Sequence, residues 1–205
     1  MKLYLGPGPN SDRVRIFLAE KGLDLPVVPI DFGKREHKSA EFLKLNSLGQ
    51  VPVLQLDDGE VITESVAICR YVEAIHPSPP LFGSDAPHQG KAEMWNRRME
   101  QEVFGTIGNV VLHTDEFFKE RHTQVPEFAE AQRRAIPSKW MWLDREISDG
   151  RPYLAGDEFS IADICGMVTL MVSRFFGYEM PAEIPNVQRW AERLRQRPSW
   201  QAMTN

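Results

Sequence analysis

The chain has 205 residues, which is enough for one large domain or two small ones, each with a hydrophobic core. Its 42% hydrophobic and 26% charged residues are typical of a soluble globular protein, and no apolar run approaches the roughly 20 residues of a membrane span. A net charge of −5 without a stripe of Lys and Arg argues against nucleic-acid binding. Two cysteines inside apolar helical patterns, and an N-terminal strand too short for a signal peptide, indicate a cytoplasmic protein.

The start of the chain predicts a strand, a helix and a second strand. The apolar run over residues 2–5 stops at a Gly-Pro-Gly-Pro sequence, and Asn10 or Ser11 is the expected N-cap of the helix that follows. Gly22 is the expected stop of that helix, and residues 25–30 form the next strand. Strands joined through a helix are expected to run parallel.

The next segment predicts a stretch over 34–45 that is polar and then helical, then a β-hairpin, then another helix. Asp58-Gly59 is a strong hairpin turn between the β-branched runs 53–56 and 61–62. Glu64-Ser65 opens the apolar-periodic helix after the hairpin. The resulting order βαβαββα is thioredoxin-like.

This hairpin and helix start are suited to gripping a small peptide. Pro52 stands at the first residue of the strand, which we expect to be an edge strand whose exposed backbone pairs with an extended ligand. The free N–H groups and the dipole at the Glu64-Ser65 helix start attract a carboxylate.

Beyond a Pro-rich break the sequence predicts only helices. They are expected over 87–121, 126–147 and 164–176, with shorter ones from 184 and 197. Pro137 is expected to kink the second of these helices or end it early. Ser160 and Asp163 form a variant capping box before the most hydrophobic helix, which indicates a central core helix.

Two groups of residues resemble the glutathione transferase family. They are Gln50-Val51-Pro52 with Glu64-Ser65, and Tyr153-Leu154-Ala155-Gly156 with Ser160-Ile161-Ala162-Asp163. The resemblance implies an α/β plus all-α fold, with a thioredoxin-like glutathione-binding domain over 1–77, a linker over 78–86 and an all-helical domain over 87–205. It also implies a cis proline, a residue before it that pairs with the cysteinyl backbone, and a Glu-Ser pair that holds the γ-glutamyl end.

The resemblance further assigns the other end of the peptide. His37 and Lys38 match the family's clamp for the glycine carboxylate, although exposed residues of this kind are also often merely solvated. Gln50 is expected to reach the glycine amide. The glutathione-binding prediction is therefore His37, Lys38, Gln50, Val51, Pro52, Glu64 and Ser65.

Thiol activation departs from the main family pattern, because Gly8 occupies the position of the usual serine. The sequence resembles a fungal and bacterial branch in which N–H groups at the first helix start, with a water held by the fourth helix, stabilise the thiolate. His113 matches the histidine of that helix, and Asn109 one turn earlier is placed to share the water. Two alternatives stay open, that Ser11 donates its hydroxyl and that His113 only faces solvent. The catalytic candidates are Gly8, Asn10, Ser11, Asn109 and His113.

The sequence thus predicts a glutathione transferase with glutathione as co-substrate, no metal and a homodimeric assembly. The electrophile is expected to be apolar and to contact Val103, Phe104, Ile107, Val111 and the pair Phe117-Phe118. Arg97 and Arg98 could face either the ligand or the partner subunit. The alternative function is a glutathione-binding protein without turnover, which Gly8 keeps open. A thiol reductase is disfavoured because residues 6–13 contain no cysteine.

Overall fold

The structure is a computed structural model that describes residues 1–178 and 180–204. The chain divides into two compact units. The first, here the N-terminal unit, comprises Met1–Phe82 together with the last residues of the chain from Gln201. The second, the helical unit, comprises Gly83–Trp200. The division between Phe82 and Gly83 lies inside the stretch 78–86 that the sequence marks as a linker.

The N-terminal unit contains a mixed sheet of four short strands. They are β1 Lys2–Leu5, β2 Val27–Pro29, β3 Val53–Gln55 and β4 Val61–Thr63, in the order β2-β1-β3-β4. β1 and β2 are parallel, whereas β3 is antiparallel to both of its neighbours. With the helices between them, these strands confirm the predicted βαβαββα order and the thioredoxin-like fold.

The predicted edge position of the proline-led strand is wrong. β3 lies inside the sheet, where Val53 pairs with Tyr4 on one side and Thr63 on the other. Its ladder groups are therefore used by the protein, and only the segment before Val53 lies outside the ladder. A peptide that pairs here would have to use the backbone around Val51.

The three α-helices of this unit are α1 Pro9–Lys21, α2 Ala40–Leu45 and α3 Ser65–Ile75. α1 begins two residues before the predicted cap Ser11, because Pro9 fits the first helical position and Gly8 serves as N-cap. The predicted caps Asn10 and Ser11 are therefore wrong, while Gly22 ends the helix in the left-handed conformation as expected.

The stretch over 34–45, predicted to be polar and then helical, has that order. A 3₁₀ turn covers Glu36–Lys38, and extended Ser39 then caps α2 by accepting a hydrogen bond from the Phe42 N–H at 3.1 Å. Ser39 competes with helix continuation because its side chain satisfies the backbone of the next turn.

The helical unit contains the predicted helices with different bounds. They are α4 Ala86–Arg98, α5 Gly105–Thr114, α6 Pro126–Glu146, α7 Ile161–Phe175, α8 Pro185–Arg195 and α9 Pro198–Thr204, the last of which runs beyond this unit. A π-helical turn, Met99–Phe104, connects α4 to α5, so the single helix predicted over 87–121 is interrupted and ends at Thr114. α6 continues through Pro137 and does not end early. Among the described residues, no helix combines the length and the apolar character that crossing a bilayer requires.

α7 is the buried helix that the sequence predicts, and the capping box at its start is present. The Asp163 carboxylate accepts hydrogen bonds from the backbone N–H groups of Leu154 and Ser160 at 3.0 and 3.1 Å. It also accepts from the Trp190 indole at 2.9 Å. Burial raises the pKa of the Asp163 carboxyl, and the hydrogen bonds from Leu154, Trp190 and Ser160 oppose that shift. These hydrogen bonds connect the start of α7 to the loop at Leu154 and to α8.

Candidate functional site

A small, mostly polar pocket lies in the N-terminal unit where three segments meet. One segment is the first turn of α1, the second is the loop between α2 and β3, and the third is the start of α3. The lining residues are Asn10, Asn46, Gln50, Val51, Pro52, Glu64 and Ser65. Six of these seven belong to the site that the sequence predicts, and Asn46 is the addition.

The loop before β3 is held by a side chain that the sequence reasoning missed. The Val51–Pro52 peptide bond is cis. Asn46 donates from Nδ2 to the Gln50 carbonyl at 2.8 Å and accepts the Leu48 N–H at 3.1 Å. Asn46 is buried, and it fixes the backbone that precedes the cis proline. Its only sequence signal is an Asn at a helix end followed by a turn sequence.

The α3 start presents Glu64 in an unusual backbone conformation. Glu64 has φ 68° and ψ 120°, and it precedes the first turn of α3 without a side-chain hydrogen bond that caps the helix. A positive φ at a residue with a side chain costs of order 1–3 kcal/mol, and such residues cluster at binding sites. The Glu64 side chain is exposed, whereas Ser65 beside it is buried.

A buried cation lies against Ser65. Arg13 of α1 is only 1% exposed, and its Nη1 donates to Ser65 Oγ at 2.7 Å and to Asn10 Oδ1 at 3.4 Å. Burial raises the pKa of the nearby Cys69 thiol, and the Arg13 charge acts in the opposite direction. Sequence reasoning passed over Arg13, although an arginine among the apolar positions of α1 is a signal that it has a buried partner.

The α1 start leaves donors for a ligand. Pro9 carries no N–H, and the Asp12 N–H donates to the Gly8 carbonyl at 3.1 Å. In helix geometry the N–H groups of Asn10 and Ser11 are then those of the first turn that have no intrahelical acceptor. Gly8 has φ 119°, and a Cβ built there meets no protein atom within 4 Å. The space that Gly8 leaves beside these donors is therefore open.

Side chains around this turn are engaged in the fold. Ser11 is 1% exposed, and its Oγ accepts the Gly6 N–H at 3.3 Å. Arg15 donates to Asp12 at 2.7 Å and to the Gly6 carbonyl at 3.3 Å. Burial raises the pKa of the Asp12 carboxyl, and the hydrogen bond and charge of Arg15 partly offset that shift. The burial of the Ser11 side chain weakens its candidacy as a thiol donor.

The two predicted clamp residues do not line this pocket. His37 is buried, with its ring centroid 4.6 Å from that of Phe32. Lys38 is exposed, and its Nζ donates to the Leu48 carbonyl at 3.0 Å. Lys38 therefore holds the same loop that Asn46 holds, from its outer side.

Asn109 and His113 both lie on α5 of the helical unit and are half-buried. His113 Nδ1 accepts the Val125 N–H at 2.9 Å, and its Nε2 lies 3.3 Å from His122 Nε2. Because Nδ1 is an acceptor, Nε2 carries the proton and donates to His122. Both ring nitrogens of His113 are thus engaged within its own unit.

Three of the six predicted electrophile contacts are wrong because their side chains belong to the core. Val103, Ile107 and Val111 are at most 7% exposed. Phe117 is 47% exposed and packs edge-on against Phe118 at a centroid distance of 5.0 Å. Of the apolar residues named from the sequence, the aromatic pair is the more accessible.

The two arginines of α4 are paired within the helical unit. Arg97 donates to Glu93 and Glu100 at 3.0 and 3.4 Å. Arg98 donates to Glu146 at 3.1 Å and stacks over Trp95. Both form exposed salt bridges of the kind that contribute little to stability.

A thioredoxin-like unit with a cis proline before its third strand, followed by a unit whose described elements are helices, defines a class of two-unit thioredoxin-fold proteins. Residues 1–74 match the model of the glutathione S-transferase N-terminal domain, and residues 110–198 match that of the C-terminal domain. The chain belongs to the glutathione S-transferase family, and glutathione transferase is its enzyme class.

Individual relatives agree with this assignment. The chain is 36% identical to "Glutathione S-transferase 2" of Saccharomyces cerevisiae, over 97% of this chain and 87% of the relative. The crystal structure of Gtt2 from Saccharomyces cerevisiae superposes with a TM-score of 0.90 at 34% identity, covering 99% of this chain and all of the other. Human glutathione transferase theta-2, solved in complex with glutathione and an unknown ligand, has a TM-score of 0.82 at 30% identity, with coverages of 94% and 80%.

Proposed function

We propose that the pocket of the N-terminal unit binds glutathione and that the enzyme activates its thiol for attack on an electrophile. The observation that carries the proposal is the convergence of the α1 start, the cis-proline loop and the α3 start on one polar pocket. The sequence independently predicts glutathione binding for two of these segments and thiol activation for the α1 start. A family whose members use glutathione as co-substrate supports the same reading.

Each part of the tripeptide has a proposed partner. The Val51 backbone beside cis-Pro52 pairs with the cysteinyl residue, and Gln50 reaches the glycine amide. Glu64 binds the α-ammonium of the γ-glutamyl residue, and Ser65 with the α3 start binds its carboxylate. His37 and Lys38 remain the proposed clamp for the glycine carboxylate, which requires Lys38 to exchange the Leu48 carbonyl for the ligand.

We propose that backbone donors stabilise the thiolate. The N–H groups of Asn10 and Ser11 lie at the positive end of α1, and a helix N-terminus lowers the pKa of a thiol. Gly8 leaves open space beside them. Ser11 acts through its backbone in this scheme, because its side chain is only 1% exposed.

His113 and Asn109 are the proposed holders of a water that assists the thiolate. The hydrogen bonds of His113 to Val125 and His122 set its tautomer, so replacing a bond to His122 by one to water is the change this role requires. His113→Ala should then lower turnover and raise the apparent pKa of the bound thiol. His122→Ala is the comparison variant, because it removes the side chain that competes with water for His113 Nε2 and leaves His113 in place.

The electrophile is proposed to be apolar, and the assembly is proposed to be a homodimer. Accessible aromatic side chains at Phe117 and Phe128 support the first proposal. The family supports the second. A substrate series of rising apolar size and a sedimentation run at micromolar concentration test them separately.

The deciding experiment measures glutathione affinity by calorimetry and turnover of a generic aryl halide in the same preparation. Affinity together with turnover supports the transferase mechanism. Affinity without turnover of several electrophiles would favour the alternative, a glutathione-binding protein without activity. Absence of binding would remove the pocket from consideration.

A further inference from the structure

Arg13 is a charged side chain that is almost fully buried and contacts two residues that line the pocket. It belongs to α1, and it bonds Asn10 on its own helix and Ser65 on α3. The Ser65 contact spans 52 positions of sequence and is short at 2.7 Å. Burying a guanidinium carries a large desolvation cost. The charge of Arg13 therefore has to be stabilised by hydrogen bonds or to serve a ligand.

We propose that Arg13 is a positioning residue that makes Ser65 a hydrogen-bond donor selective for a carboxylate. This inference rests on the proposed glutathione site and deepens it. Because Arg13 donates to Ser65 Oγ, the hydroxyl hydrogen of Ser65 has to point to another acceptor. A hydroxyl that accepts from a cation is also polarised, and it becomes a stronger donor to an anion.

The charges around the pocket then match an α-amino acid head group. Glu64 supplies one negative charge to an ammonium group, whereas Ser65 and the Arg13 cation favour a carboxylate. The γ-glutamyl residue of glutathione carries these two groups on one carbon atom. Arg13 is therefore inferred to select peptides with a free γ-glutamyl head and to have little influence on the cysteinyl-glycine part.

An arginine suits this position better than a lysine. Its Nη1 donates to oxygens on two different helices, and the planar guanidinium holds this nitrogen in a fixed geometry that an ammonium on a flexible stem lacks. Arg13→Lys keeps the charge and weakens the geometry. Arg13→Gln keeps a donor and removes the charge.

The test compares glutathione with cysteinylglycine, which lacks the γ-glutamyl residue, as thiol substrates of the full-length enzyme. Arg13→Gln should raise the Kd and the KM for glutathione by about tenfold or more, the scale of one hydrogen bond to a charged group. The kcat at saturating glutathione and the kcat/KM for cysteinylglycine should not change. The Kd and KM of Arg13→Lys for glutathione should lie between those of Arg13→Gln and those of the wild type. Arg70→Gln, an exposed arginine of α3 outside the pocket, is the matched control and should behave as wild type.

Thermal unfolding of each variant separates folding from binding, and Arg13→Lys carries the same comparison if Arg13→Gln does not fold. Folded variants that keep wild-type glutathione affinity would overturn the proposal. So would an equal loss for both peptides, since that is the signature of a purely structural role. A wild-type enzyme that binds neither peptide would overturn the proposed function itself, whatever the Arg13 variants do.

Discussion

Two kinds of helix start occur in this molecule, and they differ in what occupies their first-turn donors. At α7, Ser160 and Asp163 close the start with buried hydrogen bonds, and Asp163 also ties in Leu154 and Trp190. At α1 and α3, the residues that precede the helix are Gly8 and Glu64, and neither caps it with a side-chain hydrogen bond. Both of these starts contribute residues to the pocket. A helix start closed by its own side chains serves the fold, whereas one left open beside a cavity is available to a ligand.

The largest effect is a loss of stability, expected when the side-chain hydrogen bonds at the start of α7 are removed. Asp163→Ala removes the acceptor of four buried hydrogen bonds at once, so the free energy of unfolding should fall by about 3–5 kcal/mol. Urea unfolding of Asp163→Ala measures the loss, and Asp157→Ala at an exposed position nearby is the control. A loss below about 1 kcal/mol would contradict the structural role given to this start.

The next effect concerns binding at an open start. Glu64→Ala should lose about 2–4 kcal/mol of glutathione binding because the ligand's ammonium loses its charged partner. Stability should change little, since alanine keeps the strained φ of 68° and Glu64 is exposed. Calorimetry checks the affinity, with Glu60→Ala in the hairpin turn as control. A folded Glu64→Ala protein with unchanged affinity would exclude Glu64 from the site.

The local sequence signals were sufficient for the order of elements. Asp58-Gly59 predicted the hairpin, and Ser160 with Asp163 predicted the closed start of α7, because turns and capping boxes depend on residues a few positions apart. The start of α1 was misplaced because two local signals competed, and Pro9 at the first helical position prevailed over Asn10 and Ser11 as caps.

The roles of Arg13 and of the loop residue Asn46 were missed for a different reason. The Arg13 contact to Ser65 connects two helices across the fold, and Asn46 acts on backbone atoms of a loop whose path follows from tertiary packing. The sequence can signal that such a residue is buried or in a turn, but no periodicity or spacing identifies its partner. Likewise, Val103, Ile107 and Val111 fit an apolar surface by pattern, but only packing decides whether an apolar face meets ligand or core.

A third prediction concerns Gly8, where a side chain would strain the backbone without crowding other protein atoms. Its φ of 119° with ψ of 166° is a conformation that L-residues rarely adopt, so Gly8→Ala should cost about 1–3 kcal/mol of stability. Protein atoms leave room for the methyl group, and any further loss of turnover would come from the ligand's sulfur approaching the loop. Gly90→Ala is the control, because Gly90 lies within α4 with open space around it and a helical alanine stabilises. Unfolding and turnover are measured on both, and a Gly8→Ala protein as stable as wild type would contradict the strain argument.

The smallest effect is expected at Ser11, and it decides how the thiol is activated. The Ser11 hydroxyl is buried and accepts the Gly6 N–H at a long 3.3 Å, so Ser11→Ala should cost about 1 kcal/mol of stability. Its backbone N–H remains at the α1 start, and turnover should therefore be largely retained across the pH range.

If the hydroxyl donates to the thiolate instead, Ser11→Ala should lose nearly all turnover and shift the apparent pKa of bound glutathione upward. Rates of Ser11→Ala and His113→Ala measured against pH distinguish these cases, because backbone activation aided by a held water requires His113→Ala to be the slower enzyme. A Ser11→Ala enzyme that is inactive while His113→Ala keeps its rate would show that α1 is not an open start but one completed by a side chain.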